Sequence, residues 1–226
     1  KTIPAPEVKE SYSRFFASIA HKVSYTGYIL PLTAPCPQEH AALLEKRADQ
    51  FTVVVSRGGE AIYPKIITSA IQAQALLGDR YRFIIAAGPS TTSAERRLFQ
   101  SLLGKTASDN VALFDYCPAL PHFLKHCDIS VSMCGYNTAA TLLRWGTPSV
   151  IVPYIHRSNQ TSAQEQIARS LLLRDHLGST ILSYKTMTAK TLALAIEKQG
   201  RNIAKRPAPL TWFTGNARTS RCILER

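Results

Sequence analysis

The chain has 226 residues, of which 45% are hydrophobic and 19% charged, and its 27 lysines and arginines against 15 acidic side chains give a formal charge of +12. That balance excludes a disordered chain and supplies enough apolar surface for a sizeable core, as one large domain or two small ones. No apolar run approaches the length of a membrane span, and the opening KTIPAPEVKE is not a secretory signal and lacks an initiating Met, so the chain reads as a fragment or a processed product.

Residues 1–22 begin polar and proline-bearing, then run SYSRFFASIAHK with some helical spacing, which reads as a linker from something upstream. VSYTGYIL, 23–30, predicts a strand; PLTAPCPQEH, 31–40, a surface loop; AALLEKRA, 41–48, a short helix. From Phe51 the pattern becomes regular. FTVVVS, 51–56, is a β-branched apolar run ending in Arg57, Gly58 and Gly59, and residues 61–77 then have helical spacing, with Pro64 confining the regular helix to the residues after it. YRFIIAAG, 81–88, predicts the next strand and SAERRLFQSLLG, 93–104, the next helix; VALFDY, 111–116, is a third strand, and CPALPHFLKHC, 117–127, a short helix opened by prolines. A further apolar run at Ile129, Val131 and Met133 breaks at Cys134, Gly135, Tyr136, Asn137 and Thr138. It resumes with helical spacing through Leu142 and Leu143, then stops at Gly146, Thr147 and Pro148. The strand SVIVPY, 149–154, the helix 162–177, the short strand STILS, 179–183, and the helix 187–199 complete the series.

Strands alternating with helices at this spacing predict an α/β fold, a doubly wound parallel sheet with right-handed crossovers. Ligands gather at the carboxyl ends of such strands, near the reversal of strand order. Four loops fall on that rim: Arg57 to Glu60, Ala87 to Ser90, Asp115 to Pro118, and Cys134 to Thr138. In the last, Gly135 can adopt backbone angles costly to other residues, and Asn137 or Thr138 can cap a helix whose first amides lack internal partners. Those amides and the helix dipole make a site for a phosphate. Arg57, Arg144 and Arg169 are further phosphate partners by position, although each is more readily explained as a solvated or structural charge.

The excess positive charge is concentrated at the C-terminus, where residues 201–226 carry six basic and one acidic side chain. It favours a nucleotide diphosphate, an acidic membrane surface or nucleic acid, and the lack of basic residues interleaved with aromatics leaves nucleic acid the minority reading. Trp212 and Phe213 among these basic residues suit a membrane interface, or a tail that crosses back to another domain. Cys36, Cys117, Cys127, Cys134 and Cys222 are odd in number and form no CxxC, which points to a reducing compartment. His122, His126 and Cys127 have a His-x3-His spacing without a second ligand pair, so packing outweighs metal binding.

The run SVSMCGYNTAATLLRWGTPSVIVPY, followed by Gln164, Glu165, Gln166, Ile167, Ala168 and Arg169, resembles the C-terminal donor-binding domain of GT-B glycosyltransferases, nearest family 28 with its peptidoglycan N-acetylglucosaminyltransferases and GYNT-containing relatives. The segments 54–59 and 86–89 look like that domain's opening strand with its glycine turn and its second strand end. The resemblance covers about 23–200. It implies a Rossmann-like half of a GT-B enzyme, with 1–22 a linker from a missing N-terminal acceptor domain and 201–226 a basic tail. It further implies that Gly135, Tyr136, Asn137 and Thr138 hold the diphosphate of a nucleotide sugar, with UDP the expected carrier. Gly58 and Gly59 would line the cleft opposite, Tyr116 and Cys117 fall where backbone groups read the base, and Glu165 and Gln166 fall at the sugar hydroxyls. Thr141 stands where the family usually has a glutamate for the ribose; a hydroxyl in its place weakens binding by roughly 1–3 kcal/mol.

No DxD motif is present, so transfer is expected without a metal or other cofactor, by direct displacement at the anomeric carbon. The expected partners are the donor, an acceptor-binding domain or subunit and an anionic membrane surface, at the inner, cytoplasmic face. The general base commonly comes from the other domain; Glu60 is the carboxylate on this rim able to approach the reacting carbon, and His156 also lies at the edge. The alternative is a non-catalytic scaffold or anion-binding module. A nucleotide-sugar epimerase is a third reading, less supported because its paired carboxylates and histidine are not evident.

Overall fold

The computed structural model describes residues 22, 26–30, 36–58, 64–106, 109–153, 160–201, 203, 213 and 215–224. Six strands, β1 (Phe51–Ser56), β2 (Tyr81–Ala86), β3 (Val111–Phe114), β4 (Ile129–Ser132), β5 (Ser149–Ile151) and β6 (Thr180–Ile181), form one sheet in the order β3-β2-β1-β4-β5-β6. Every pair is parallel.

Strand alternation sorts the apolar residues into two cores. Val53, Val55, Phe83, Ile85, Ile129 and Val131 pack on one side of the sheet with Ile66, Ile67 and Ile71 of α2 (Lys65–Leu77), Phe99 of α3 (Ser93–Thr106) and Leu192 and Ile196 of α7 (Ala189–Gly200). Val54, Ile84 and Ile151 point the other way, onto Phe123 of α4 (Leu120–His126), Leu142 and Leu143 of α5 (Tyr136–Trp145) and Leu173 of α6 (Gln160–Leu177). Each such fully buried side chain contributes about 1.5–3 kcal/mol, which is why the β-branched runs carry the fold.

A small helix, α1 (Gln38–Ala41), running into a 3-10 turn at Ala42–Leu44, precedes β1. The proline-rich loop thus ends by Pro37, and the helix expected at 41–48 stops at Leu44. Asp128 ties the start of β4 to β1, accepting from the Thr52 amide at 2.7 Å and pairing with Lys46. Strands β3 and β5 end earlier than expected, at Phe114 and Ile151.

Two expectations are corrected at the chain's ends. Residues 26–30 form no strand; their backbone is held by side chains instead. Leu30 donates its amide to Asn216 Oδ1 and accepts from Asn216 Nδ2, both at 2.9 Å, which meets the hydrogen-bonding needs a sheet neighbour would have met. Asn216 belongs to an unexpected helix, α8 (Gly215–Leu224), in the basic tail. Residues 1–21, 23–25 and Trp212 lie outside the described residues.

Candidate functional site

Strand order reverses between β1 and β4, so the loops leaving these neighbours at their carboxyl ends flank the crevice of a doubly wound sheet. After Ser132 the chain turns through Met133 and Cys134 into α5. The N-cap is Gly135, and the first internal bond runs from the Ala139 amide to the Gly135 carbonyl at 2.9 Å. The amides of Tyr136, Asn137 and Thr138 therefore precede the helical ladder, and no side chain caps them. Gly135, Tyr136 and Asn137 are exposed, Thr138 is half-buried, and the space where a Gly135 Cβ would project is open.

The turn differs from expectation in two ways. Gly135 sits at φ −60 and ψ 155, ordinary extended angles, whereas Cys134 takes the left-handed φ of +63. Asn137 and Thr138 lie within the first helical turn instead of capping it. Two neighbours impose this arrangement: the Cys134 side chain is fully buried in the second core, and its carbonyl accepts from Arg169 Nε at 3.0 Å.

Arg169 is buried and faces Glu165 with a second nitrogen, Nη1 to Oε2 3.5 Å. Arg57 is likewise structural: it donates to the Ala87 carbonyl at 2.6 Å, to Glu95 at 2.6 Å and to Thr91 at 3.0 Å. Arg144 lies over the rings of Trp145 and Phe213. The structural reading thus holds for Arg57 and Arg169, whose guanidinium groups serve backbone and carboxylate partners.

Beside Arg57, Gly58 at φ +86 meets Gly88 at φ +102, joining the loops after β1 and β2. Gly59, Glu60 and His156 lie outside the described residues. On the loop after β3, Tyr116 is exposed and Cys117 is buried, with burial pushing its thiol up. The Cys117 carbonyl accepts from the Leu120 amide at 3.1 Å. Glu165 and Gln166 are half-buried on α6.

Thr141 is buried, and its hydroxyl donates to the Asn137 carbonyl at 2.8 Å, an in-helix bond. Tyr136 has a role the local sequence did not reveal: its hydroxyl accepts from the Ile29 amide at 3.3 Å, and its ring stands 5.5 Å from that of Tyr28. Tyr28 in turn stacks on Phe213 at 5.9 Å, so Phe213 packs within the fold rather than standing free for a membrane. A contact across 107 residues leaves no local signal in the sequence.

Among the described residues no three His, Cys, Asp or Glu side chains gather as a metal site; the His122 and His126 rings lie 4.5 Å apart as a pair. Chemically the arrangement offers main-chain donors and the positive end of α5 to an anion at the open edge of the sheet.

The family model of the glycosyltransferase family 28 C-terminal domain matches residues 52–211. The chain is 29% identical over 111 residues to the UDP-N-acetylglucosamine–N-acetylmuramyl-(pentapeptide) pyrophosphoryl-undecaprenol N-acetylglucosamine transferase of Leuconostoc citreum, covering 49% of this chain and 30% of that one. It is 30% identical over 166 residues to the transferase of the same name from Caldicellulosiruptor saccharolyticus, covering 72% of this chain and 43% of that one. The chain thus spans less than half the length of these two curated relatives. Among solved structures, a UGT transferase from Siraitia grosvenorii in complex with UDP superposes with a TM-score of 0.58 at 18% identity, covering 96% of this chain and 56% of that one.

Proposed function

Because this chain belongs to the glycosyltransferase family 28 C-terminal domains, we propose that it is the donor-binding half of a glycosyltransferase and that it grips a UDP-sugar at the start of α5. The observation that carries this reading is the set of amides at Tyr136, Asn137 and Thr138, which precede the helical ladder of α5 beside the reversal of strand order. A diphosphate is the anion that fits such a helix start in a sugar-transfer fold. UDP is favoured because the curated relatives carry it in the names of their substrates and one solved relative holds it.

In this reading an acceptor hydroxyl attacks the anomeric carbon. The new carbon–oxygen bond forms as the bond to the diphosphate breaks, the electron pair leaves with UDP, and the hydroxyl proton passes to the general base. The α5 amides stabilise the negative charge growing on that leaving group and need little reorganisation, since the turn is already set. Glu165 and Gln166 offer acceptors and donors to sugar hydroxyls, Tyr116 and the Cys117 backbone frame the base, and Gly58 lines the opposite wall. The acceptor and the general base belong to a partner domain or subunit. The charge of +12 favours work at an anionic membrane surface on the cytoplasmic side.

Calorimetric titration with UDP, GDP and TDP tests the reading. Saturable binding with UDP preferred supports it; no heat from any of the three at millimolar concentration overturns it. The second reading, a non-catalytic module, draws on buried Thr141, which leaves no carboxylate for the ribose, and it gains from that negative outcome.

A further inference from the structure

Cys134 is the one non-glycine residue among those described with a positive φ. A residue with a Cβ is disfavoured there, so the conformation persists only because its surroundings impose it. Left to itself, Cys134 would return to a negative φ, and its carbonyl and the Gly135 amide that leads into α5 would swing with it. The start of α5, and with it the first amides of that helix, would shift relative to the rim.

Arg169 stands against that relaxation. It reaches 35 residues back from α6, its guanidinium is enclosed, and its Nε donates to the Cys134 carbonyl at 3.0 Å. A charged donor holding that oxygen favours one peptide orientation over the other. Glu165, 3.5 Å from Nη1, steadies the guanidinium from the solvent side.

We propose that Arg169 is a positioning residue for the anion-binding turn: it holds the Cys134 carbonyl inward in the left-handed turn and so fixes where α5 begins and where its first amides meet the donor's diphosphate. This rests on the donor-binding reading. Arg169 acts through the backbone and touches no donor atom.

The test is a double-mutant cycle in the full chain, with UDP followed by calorimetry and uridine, which keeps base and ribose but lacks phosphate, followed by ligand-observed NMR. Arg169→Gln should weaken UDP by about tenfold or more, the worth of one charge-assisted hydrogen bond, while changing uridine by less than about twofold. In a Cys134→Gly background, where the positive φ carries no strain, the same substitution should cost less than about threefold. Arg169→Lys, read against both ligands and both backgrounds, serves if the glutamine variant does not fold; it should weaken UDP by more than about twofold and leave uridine unchanged. Equal losses for UDP and uridine, no loss of UDP affinity, or an undiminished loss in the glycine background would overturn the proposal and leave donor binding standing. Absence of UDP binding by the unaltered chain would overturn both.

Discussion

Gly88 approaches Gly58 so closely that a Cβ at position 88 would lie 2.6 Å from the Gly58 carbonyl oxygen. The obstacle is backbone, which cannot swing aside as a flexible side chain would, and Gly88 also holds φ +102. Gly88→Ala is therefore expected to destabilise the fold by about 2–4 kcal/mol, combining left-handed strain with overpacking. Urea unfolding of the variant beside Gly58→Ala measures this. Position 58 also has a positive φ but open space for a Cβ, so its loss should be the smaller.

Buried Arg57 and half-buried Glu95 form an ion pair, with side-chain exposures of 0% and 13%. Burial on its own raises the Glu95 carboxyl, but the Arg57 hydrogen bond, the Thr92 amide and hydroxyl and the Arg57 charge together outweigh it and hold the group below its usual range. A depressed folded pKa gives stability that is present above the unfolded value and lost as pH falls through the folded one. Glu95→Gln should thus lower stability at pH 7 and flatten its decline below about pH 4. Arg57→Met, which removes the charged partner of a half-buried carboxylate, should cost about 1–3 kcal/mol at neutral pH.

Gly135 permits a separation of stability from binding. Its Cβ direction is open and its φ is ordinary, so Gly135→Leu should move stability by no more than about 1 kcal/mol. The same leucine would stand before the α5 amides, and UDP affinity should fall at least tenfold, about 1.4 kcal/mol. Parallel thermal unfolding and UDP calorimetry read the two effects. A fall in both together, or in neither, would speak against a ligand in that space.

The cysteines should react in order of access. Cys222 is exposed, Cys36 is half-buried, and Cys117, Cys127 and Cys134 are buried. Burial raises the Cys36 and Cys117 thiols, leaving less thiolate at pH 8. A chromogenic disulfide reagent should therefore show one rapid thiol that disappears in Cys222→Ser, with the buried three released only on unfolding. A fast second thiol retained in that variant would contradict the packing of the second core.

The alternation of strand and helix was legible because parallel strands buried on both faces are written as β-branched runs such as 51–56, and Pro64 marks where α2 starts. The focal turn was legible as a place, since small residues interrupt the periodicity between Met133 and Leu142. Its internal geometry was not. Whether Cys134 or Gly135 takes the left-handed angle depends on a buried sulfur and on Arg169, 35 residues away, and local preference favours the wrong residue. Thr141 shows the same limit: the family resemblance implies a ligand position there, while its burial and the bond to Asn137 follow from how α5 sits in the core. Residues 26–30 read as a strand because alternation reports a half-buried extended chain, whether its backbone partner is a sheet or the amide of Asn216.

The two bonds between Leu30 and Asn216 span 186 residues, and the neighbouring Ile29 amide reaches Tyr136 at the mouth of α5. Any pull on the polypeptide ahead of residue 26 is thereby shared between the C-terminal helix and the first turn of α5. Early chain, late chain and the helix start behave as a yoke: moving one strains the other two, and a truncation beyond Phe213 would slacken the grip on Tyr136.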